Sequence, residues 1–296
     1  MALIVVMFCM KYLILIILTV FFSSKTFTIE ANDFTNKKVK FKSVNINNDT
    51  NFIEVNISSY LSKPNHTKTM PAVILLHGCT GLGKNKYQHS WKSLKQHAKI
   101  LNANQYVTLI LDSHGSRKIS YEKALRKSCN LNALGFYERT GDVYGAVKFL
   151  QSKDYINKDK IIVFGQSQGA MVVLNSLNSA NYNDKYKIAA GISYYPHCAY
   201  PNIPDSLYAP IILFTGGKDN VTPEKLCINY VNNMKNKSES IFIPKIISYE
   251  NGHHAFDYLS LGQLYRTSIG TIAPNRKITK KTREEYFIFL NNLFSN

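Results

Sequence analysis

Residues 39–47 and 52–61 alternate apolar and polar side chains, with the polar Asn47-Asn48-Asp49-Thr50 between them. That pattern predicts an antiparallel β-hairpin. A polar loop over 62–69 follows, carrying Pro64, and then the continuous apolar run AVILL at 72–76. A run of that kind suits a strand buried on both faces of a parallel sheet. From there helix-like and strand-like segments alternate: helix 88–101, strand 106–111, helix 139–150, strand 161–164, helix 169–177, strands 188–195 and 211–215, helix 223–234 and strand 243–249. Pro223 is expected in the first turn of its helix, where a missing N–H is tolerated. A closing helix over 282–293 carries the apolar stripe Tyr286, Phe287, Phe289, Leu290 and Leu293. The alternation predicts βαβ units and an α/β fold: a mostly parallel, doubly wound sheet of about eight strands with helices on both faces. No internal repeat or linker interrupts it, so residues 31–296 read as a single domain. Two stretches, 112–138 and 256–281, carry no clear period, and long irregular segments in compact domains often form binding loops.

Against this frame the pentapeptide Gly165-Gln166-Ser167-Gln168-Gly169 stands out. It reads G-x-S-x-G, follows the apolar strand IIVF at 161–164 and precedes a helix, which is the context of a nucleophile elbow. The sharp turn exposes a serine hydroxyl beside a helix N-terminus whose N–H groups favour developing negative charge. A serine hydroxyl needs a base, and the base needs an orienting carboxylate. Both follow in the order Ser, acid, His: Asp219 in TGGKDNVTP, 52 residues past Ser167, and His254 in YENGHHAFD, 35 residues further on. Both lie in loops after strands, where ligands gather in open α/β sheets. His253 is a rival to His254, because neighbours in an extended loop point apart and periodicity does not choose between them. The oxyanion hole of such a site takes one N–H from the residue after the nucleophile, here Gln168, and one from the loop after the central strand. That loop reads His77-Gly78-Cys79-Thr80-Gly81, an HGxxG sequence that points to the Cys79 N–H. For Asp112, Arg117 and Arg139, buried ion pairs or loop anchors are as good a reading as substrate contacts. Trp91, the only tryptophan, reads as a core residue of the first helix.

The rest of the chain narrows the setting. Residues 2–22 are almost entirely apolar, with Lys11 the one charge. Taken whole, they are long enough to span a bilayer as an uncleaved anchor. Taken from Met10, they read as a signal peptide, with a basic start, an apolar stretch at 12–22 and small and polar residues from Ser23 onward. The favoured reading is a leader over residues 1–30, cut between about Ser24 and Ala31, and an exported protein, periplasmic or extracellular. Membrane contact is expected only if the leader stays uncut. Cys9 falls in that leader, leaving Cys79, Cys129, Cys198 and Cys227. An even number in an exported chain suggests two disulfides, with three possible connectivities. No C-x-x-C pair supports a zinc site, and none of the site chemistry needs a metal or organic cofactor. Lys+Arg 36 against Asp+Glu 19 gives a formal charge of +17. The lysines are scattered among Asn and Ile, the densest cluster being Lys277, Lys280, Lys281 and Arg283. Charge without a recognition motif does not make a nucleic-acid partner. The N-x-S/T sequences at Asn56 and Asn65 are of the kind an Asn-rich chain contains by chance.

With these residues assembled, the chain resembles the dienelactone hydrolase family of α/β hydrolases. The likeness runs from about 72 to 257. It is carried by LLHGCTGL (75–82), LDSHGSR (111–117), RTGDVYGAVKFL (139–150), GQSQGA (165–170), YYPHC (194–198), GGKDNVTP (216–223) and NGHHAFD (251–257). The family's His directly precedes a small residue and Phe, so the resemblance selects His254 over His253. It also implies the pairing Cys79–Cys129 and Cys198–Cys227. The dienelactone hydrolases that give the family its name use Cys as nucleophile, whereas Ser167 stands there in this chain. The resemblance therefore implies a broader hydrolase of small-molecule carboxylic esters, with Ser167, His254 and Asp219 as its triad. The other readings are a peptidase or thioesterase on the same fold, and a non-catalytic binding protein. Oligomeric state is not legible.

Overall fold

The computed structural model describes residues 34–46, 52–65, 68–84, 88–127, 129, 136–199, 203–236 and 242–295, all within the unit Asn32–Asn296. The expected leader over 1–30 with Cys9, and the turn at 47–50, lie outside the described residues. Strands β1 (Phe34–Lys42) and β2 (Asn56–Pro64) pair antiparallel. Next come β3 (Met70–Leu76), α1 (His89–Ala103), β4 (Val107–Leu111), α2 (Ser113–Ser116), α3 (Tyr121–Lys127), α4 (Phe136–Gln151), β5 (Ile156–Gln166) and α5 (Gln168–Ser176). They are followed by β6 (Ala190–Tyr194), β7 (Ile211–Gly216), α6 (Glu224–Lys235), β8 (Lys245–Tyr249), the short hairpin β9 (Tyr265–Thr267) and β10 (Gly270–Ile272), and α7 (Arg276–Phe294). The eight-stranded sheet runs β1-β2-β4-β3-β5-β6-β7-β8. It is parallel from β4 to β8 and antiparallel where β2 meets β1 and β4.

The apolar run in β3 shows why the sheet is buried on both faces. Ala72, Ile74 and Leu76 join one core with Val143 and Val147 of α4, Val172 of α5 and Val231 of α6. Val73 and Leu75 join the other with Leu94 and Leu101 of α1 and Tyr286 and Leu290 of α7. Burying each such aliphatic side chain stabilises by about 1.5–3 kcal/mol. The strand's period of two thus feeds two helix layers. Trp91 packs partly buried against the second core, its ring 4.6 Å from that of Tyr60.

Several boundaries differ from the sequence expectation. β1 ends at Lys42: Ser43 N–H still donates in register to Val55 O at 2.9 Å, but the Val55 N–H goes to Ser43 Oγ at 3.0 Å, and the Val44 N–H turns away to Gly141 O at 3.0 Å. β5 starts at Ile156, and the exposed Lys158-Asp159 hid its first half. Pro223 is not in the first turn of α6 but caps it, with ψ 130. α7 begins at Arg276, not 282: Asn275 caps it by accepting from the Ile278 N–H at 3.1 Å. Its first turns, RKITKKT, bury Thr279 and Thr282 beside Ile278 and so show no apolar stripe. The stretch 112–138 contains α2 and α3, and 256–281 contains the β9–β10 hairpin. No helix among the described residues is long and apolar enough to cross a membrane.

Candidate active site

The site lies at the carboxyl ends of β3, β5, β6, β7 and β8, the last leading into the loop that carries His254. β5 delivers Ser167 at a turn so tight that the residue takes φ 53, ψ −119. That left-handed backbone is strained for a side chain with a Cβ. The two flanking glycines permit the turn. A Cβ on Gly165 would sit 2.2 Å from Gly169 O, and one on Gly169 would sit 2.6 Å from His77 O. The elbow is pinned by Ser167 N–H donating to Tyr194 O at 2.9 Å.

His254 Nε2 lies 3.0 Å from Ser167 Oγ, and His254 Nδ1 lies 2.8 Å from Asp219 Oδ2. His254 and Asp219 are buried, at 4% and 5% exposure. It is His254, not His253, that reaches the serine. The two arms meet because Gly216 and Gly252 touch backbone to backbone: a Cβ on Gly216 would sit 2.4 Å from Gly252 O. Asp219 Oδ1 accepts from the N–H groups of Val221 and Thr222, both at 2.8 Å. Thr222 Oγ1 is within hydrogen-bond distance of Asp219 Oδ2, Tyr195 O and His254 Nδ1, at 2.8, 3.1 and 3.1 Å. Burial alone would raise the Asp219 pKa. The His254 charge and the hydrogen bonds from His254 and Thr222 outweigh it and hold the carboxyl below its ordinary value. A carboxylate so held can fix the imidazole's tautomer and steady its protonated form.

The loop after β3 runs beside the elbow. A Cβ on Gly78 would meet Ser167 Cβ at 3.4 Å and Gln166 O at 3.5 Å, so the residue before Cys79 packs directly against the elbow. Disulfides join Cys79 to Cys129 and Cys198 to Cys227. The first ties this loop to the chain beyond α3, and the second ties the end of β6 to α6. Next to Thr80 opens a cleft of about 810 Å³, lined by Leu82, His114, Ile119 and Tyr121 among others. The His114 ring packs against His77 at 4.7 Å. Burial, with Arg139 and Arg117 nearby, lowers its pKa to about 3, and burial and Arg139 lower that of His77 well below its ordinary value. Both rings are therefore neutral at neutral pH.

Some participants were not singled out in the sequence. Thr222 and Tyr195 sat inside the motifs GGKDNVTP and YYPHC without a role. Asp257, fully buried, accepts from Ser93 Oγ at 2.8 Å, His97 Nε2 at 2.9 Å, Gln166 Nε2 at 2.5 Å and Tyr195 OH at 2.5 Å. Burial would raise its pKa, but the His97 and Tyr195 hydrogen bonds bring it below the ordinary value. Arg117 clasps the buried Asp142 bidentately, both contacts at 2.8 Å. Asp112 caps α2 by accepting from the Gly115 N–H. These two match the anchor reading. Among the described residues, no cluster of three His, Cys, Asp or Glu side chains could hold a metal ion.

An eight-stranded, mostly parallel sheet with helices on both faces and a serine on a strand-to-helix elbow defines an α/β hydrolase. Within that class, the profile of the dienelactone hydrolase family matches residues 57–268, and the chain belongs to this family. No curated protein matches it. Among solved structures it is similar to a candidate dienelactone hydrolase from Klebsiella pneumoniae subsp. pneumoniae MGH 78578, with TM-score 0.66 and 12% identity over 88% of this chain and 99% of that one. It is also similar to the dienelactone hydrolase-like promiscuous phosphotriesterase P91 from metagenomic libraries, with TM-score 0.63 and 13% identity over 88% and 99%. A third is Thermogutta terrifontis esterase 2, in a form phosphorylated by paraoxon, with TM-score 0.58 and 15% identity over 90% and 96%. At such identities the likeness is one of fold.

Proposed function

We propose that the protein is a serine hydrolase of carboxylic esters, working through an acyl-enzyme. The observation that carries this reading is the hydrogen-bonded row from Ser167 Oγ through His254 to Asp219, with steps of 3.0 and 2.8 Å. In the first step Ser167 Oγ attacks the ester carbonyl carbon while His254 Nε2 takes its proton. The carbonyl oxygen becomes an oxyanion, held by the N–H groups of Cys79 and Gln168, and Asp219 steadies the imidazolium at Nδ1. Collapse breaks the bond to the alkoxide, which takes the proton from His254. In the second step His254 deprotonates water, which attacks the acyl carbon. The acid leaves and the proton returns to Oγ. One arm of the ester lies in the cleft that opens at Thr80, next to Cys79. The chemistry needs no metal or organic cofactor.

The test is labelling by a fluorophosphonate probe together with turnover of a panel of chromogenic esters of varied acyl length, with matched amides and thioesters. Wild-type protein is expected to label and to cleave esters, and Ser167→Ala to do neither. A protein that labels but cleaves amides in preference would be a peptidase. One that neither labels nor turns over any substrate would be a binding protein. Residues 31–296 are read as one hydrolase domain, exported behind the leader at 1–30. Two disulfides support that compartment, because such bonds persist in oxidising surroundings.

A further inference from the structure

Arg139, near the start of α4, is among the largest fully buried side chains of the described residues, at 1% exposure. Burial is the main cause that lowers its pKa, to about 10, with repulsion from Arg117 adding to it and the Asp142 charge opposing. It stays charged, and Asp142 is itself held by Arg117. The fork of Arg139 goes instead to two acceptors. One nitrogen donates to Gln168 Oε1 at 2.7 Å and the other to His77 O at 2.7 Å. Its Nε finds no hydrogen-bond partner.

A guanidinium at this depth is an unfavourable way to fill space, since well-packed apolar side chains often serve stability as well or better. What an apolar residue could not do is hold two acceptors from different elements in one plane. Those acceptors are not arbitrary. Gln168 carries one of the two N–H groups assigned above to the oxyanion, and His77 stands two positions before Cys79, which carries the other. The carbonyl of His77 and the side chain of Gln168 are thereby fixed to one rigid, charged plane. Oxyanion donors act by being in place before charge develops.

We propose that Arg139 is a positioning residue that sets the separation of the Cys79 and Gln168 N–H groups. The proposal rests on the serine-hydrolase reading of Ser167. The geometry assigns Arg139 no contact with substrate, so its effect should fall on the tetrahedral state and not on substrate binding.

The experiment compares wild type, Arg139→Met, Arg139→Lys, Gln168→Met and the double variant Arg139→Met/Gln168→Met. It measures ester kcat and KM, affinity for a boronic acid that mimics the tetrahedral state, and thermal midpoint. Arg139→Met is expected to lose about 30- to 100-fold in kcat, and the boronic acid to weaken by a similar factor, with KM within about threefold. Arg139→Lys should recover part of the loss, because an ammonium can still reach one acceptor. Gln168→Met keeps its backbone N–H and removes only the brace, so it should lose about tenfold in kcat. The double variant should be no worse than Arg139→Met, since both break one device. Losses that multiply, or a kcat and boronic acid affinity within about threefold of wild type, would overturn the proposal. If Arg139→Met does not fold, Gln168→Met decides alone: a tenfold loss at unchanged KM supports the brace, and no loss overturns it. A wild type that takes no fluorophosphonate and cleaves no ester would sink the reading of Ser167 first, and this proposal with it.

Discussion

The Tyr195 ring lies against the His254 imidazole with centroids 4.6 Å apart, and its hydroxyl donates to Asp257, three positions after that histidine. Tyr195 itself holds a left-handed backbone, φ 44, and so does Ala255, φ 57, on the other side of the contact. One aromatic residue thus joins the end of β6 to the loop that carries His254. In Tyr195→Phe the ring stays and the donor to a fully buried carboxylate goes. Loss of such a charge-assisted bond is expected to destabilise by about 1–3 kcal/mol, read as a lower urea midpoint. Ester kcat should stay within about tenfold, because the ring still packs on the imidazole.

Asp219 and Thr222 form the next pair. Asp219→Asn keeps the shape but presents an amide to the imidazole, and in other triads such a change costs about 10⁴ in kcat through the wrong tautomer. A drop of at least about 10³ in ester turnover, with KM little changed, is expected here. Thr222→Val removes one of the contacts to Asp219 Oδ2 and leaves the His254 bond in place. It should cost about tenfold or less. The ordering of the two losses is the check.

Acid stability follows from the buried histidines. The His114 pKa lies at about 3 in the fold, against an ordinary 6.5, and that of His77 is also well below 6.5. As pH falls through 6.5 the unfolded chain takes up protons that the fold does not. The contribution of His114 is therefore whole above pH 6.5 and declines from there down to about pH 3, and that of His77 declines in the same direction. Urea midpoints measured from pH 7.5 to 4 should fall accordingly. His114→Phe, which fills the site with a ring that does not titrate, should flatten that decline. An unchanged slope would argue that the depression of His114 is not linked to folding.

The disulfides should separate stability from turnover. Cys79–Cys129 closes a loop of 50 residues and Cys198–Cys227 one of 29. Chain entropy assigns each about 3–4 kcal/mol, so paired Ser variants of either should melt at a lower temperature. Only loss of Cys79–Cys129 frees the loop whose N–H is assigned to the oxyanion. That variant alone should also lose ester kcat below its melting range, by about tenfold or more.

Much of this molecule was legible one segment at a time. The run at 72–76 marks a strand buried on both faces, G-x-S-x-G marks the elbow, and the order Ser167, Asp219, His254 follows the chain order of the α/β hydrolases. Where boundaries moved, the local signal was absent. The start of α7 is polar because its buried threonines bond to backbone carbonyls, Thr279 to Phe256 O and Thr282 to Thr279 O. The first half of β5 is polar because residues 157–160 stand out of its ladder with β3, between the pairs Met70–Ile156 and Ala72–Ile161. Periodicity could not choose between His253 and His254. The choice came from family likeness, and the fold seats His254 against both partners.

Backbone propensity, apolar period and the tolerance of glycine for tight turns act between near neighbours, so elements and elbow are written in short stretches of sequence. The Asp257 cluster joins residues up to 164 positions apart, and the Arg139 brace joins acceptors 29 and 62 positions away. Whether a buried charge finds partners depends on which side chains packing brings within about 3 Å of it. No local pattern records that distance, and it exists only once the sheet has closed and its helices have docked.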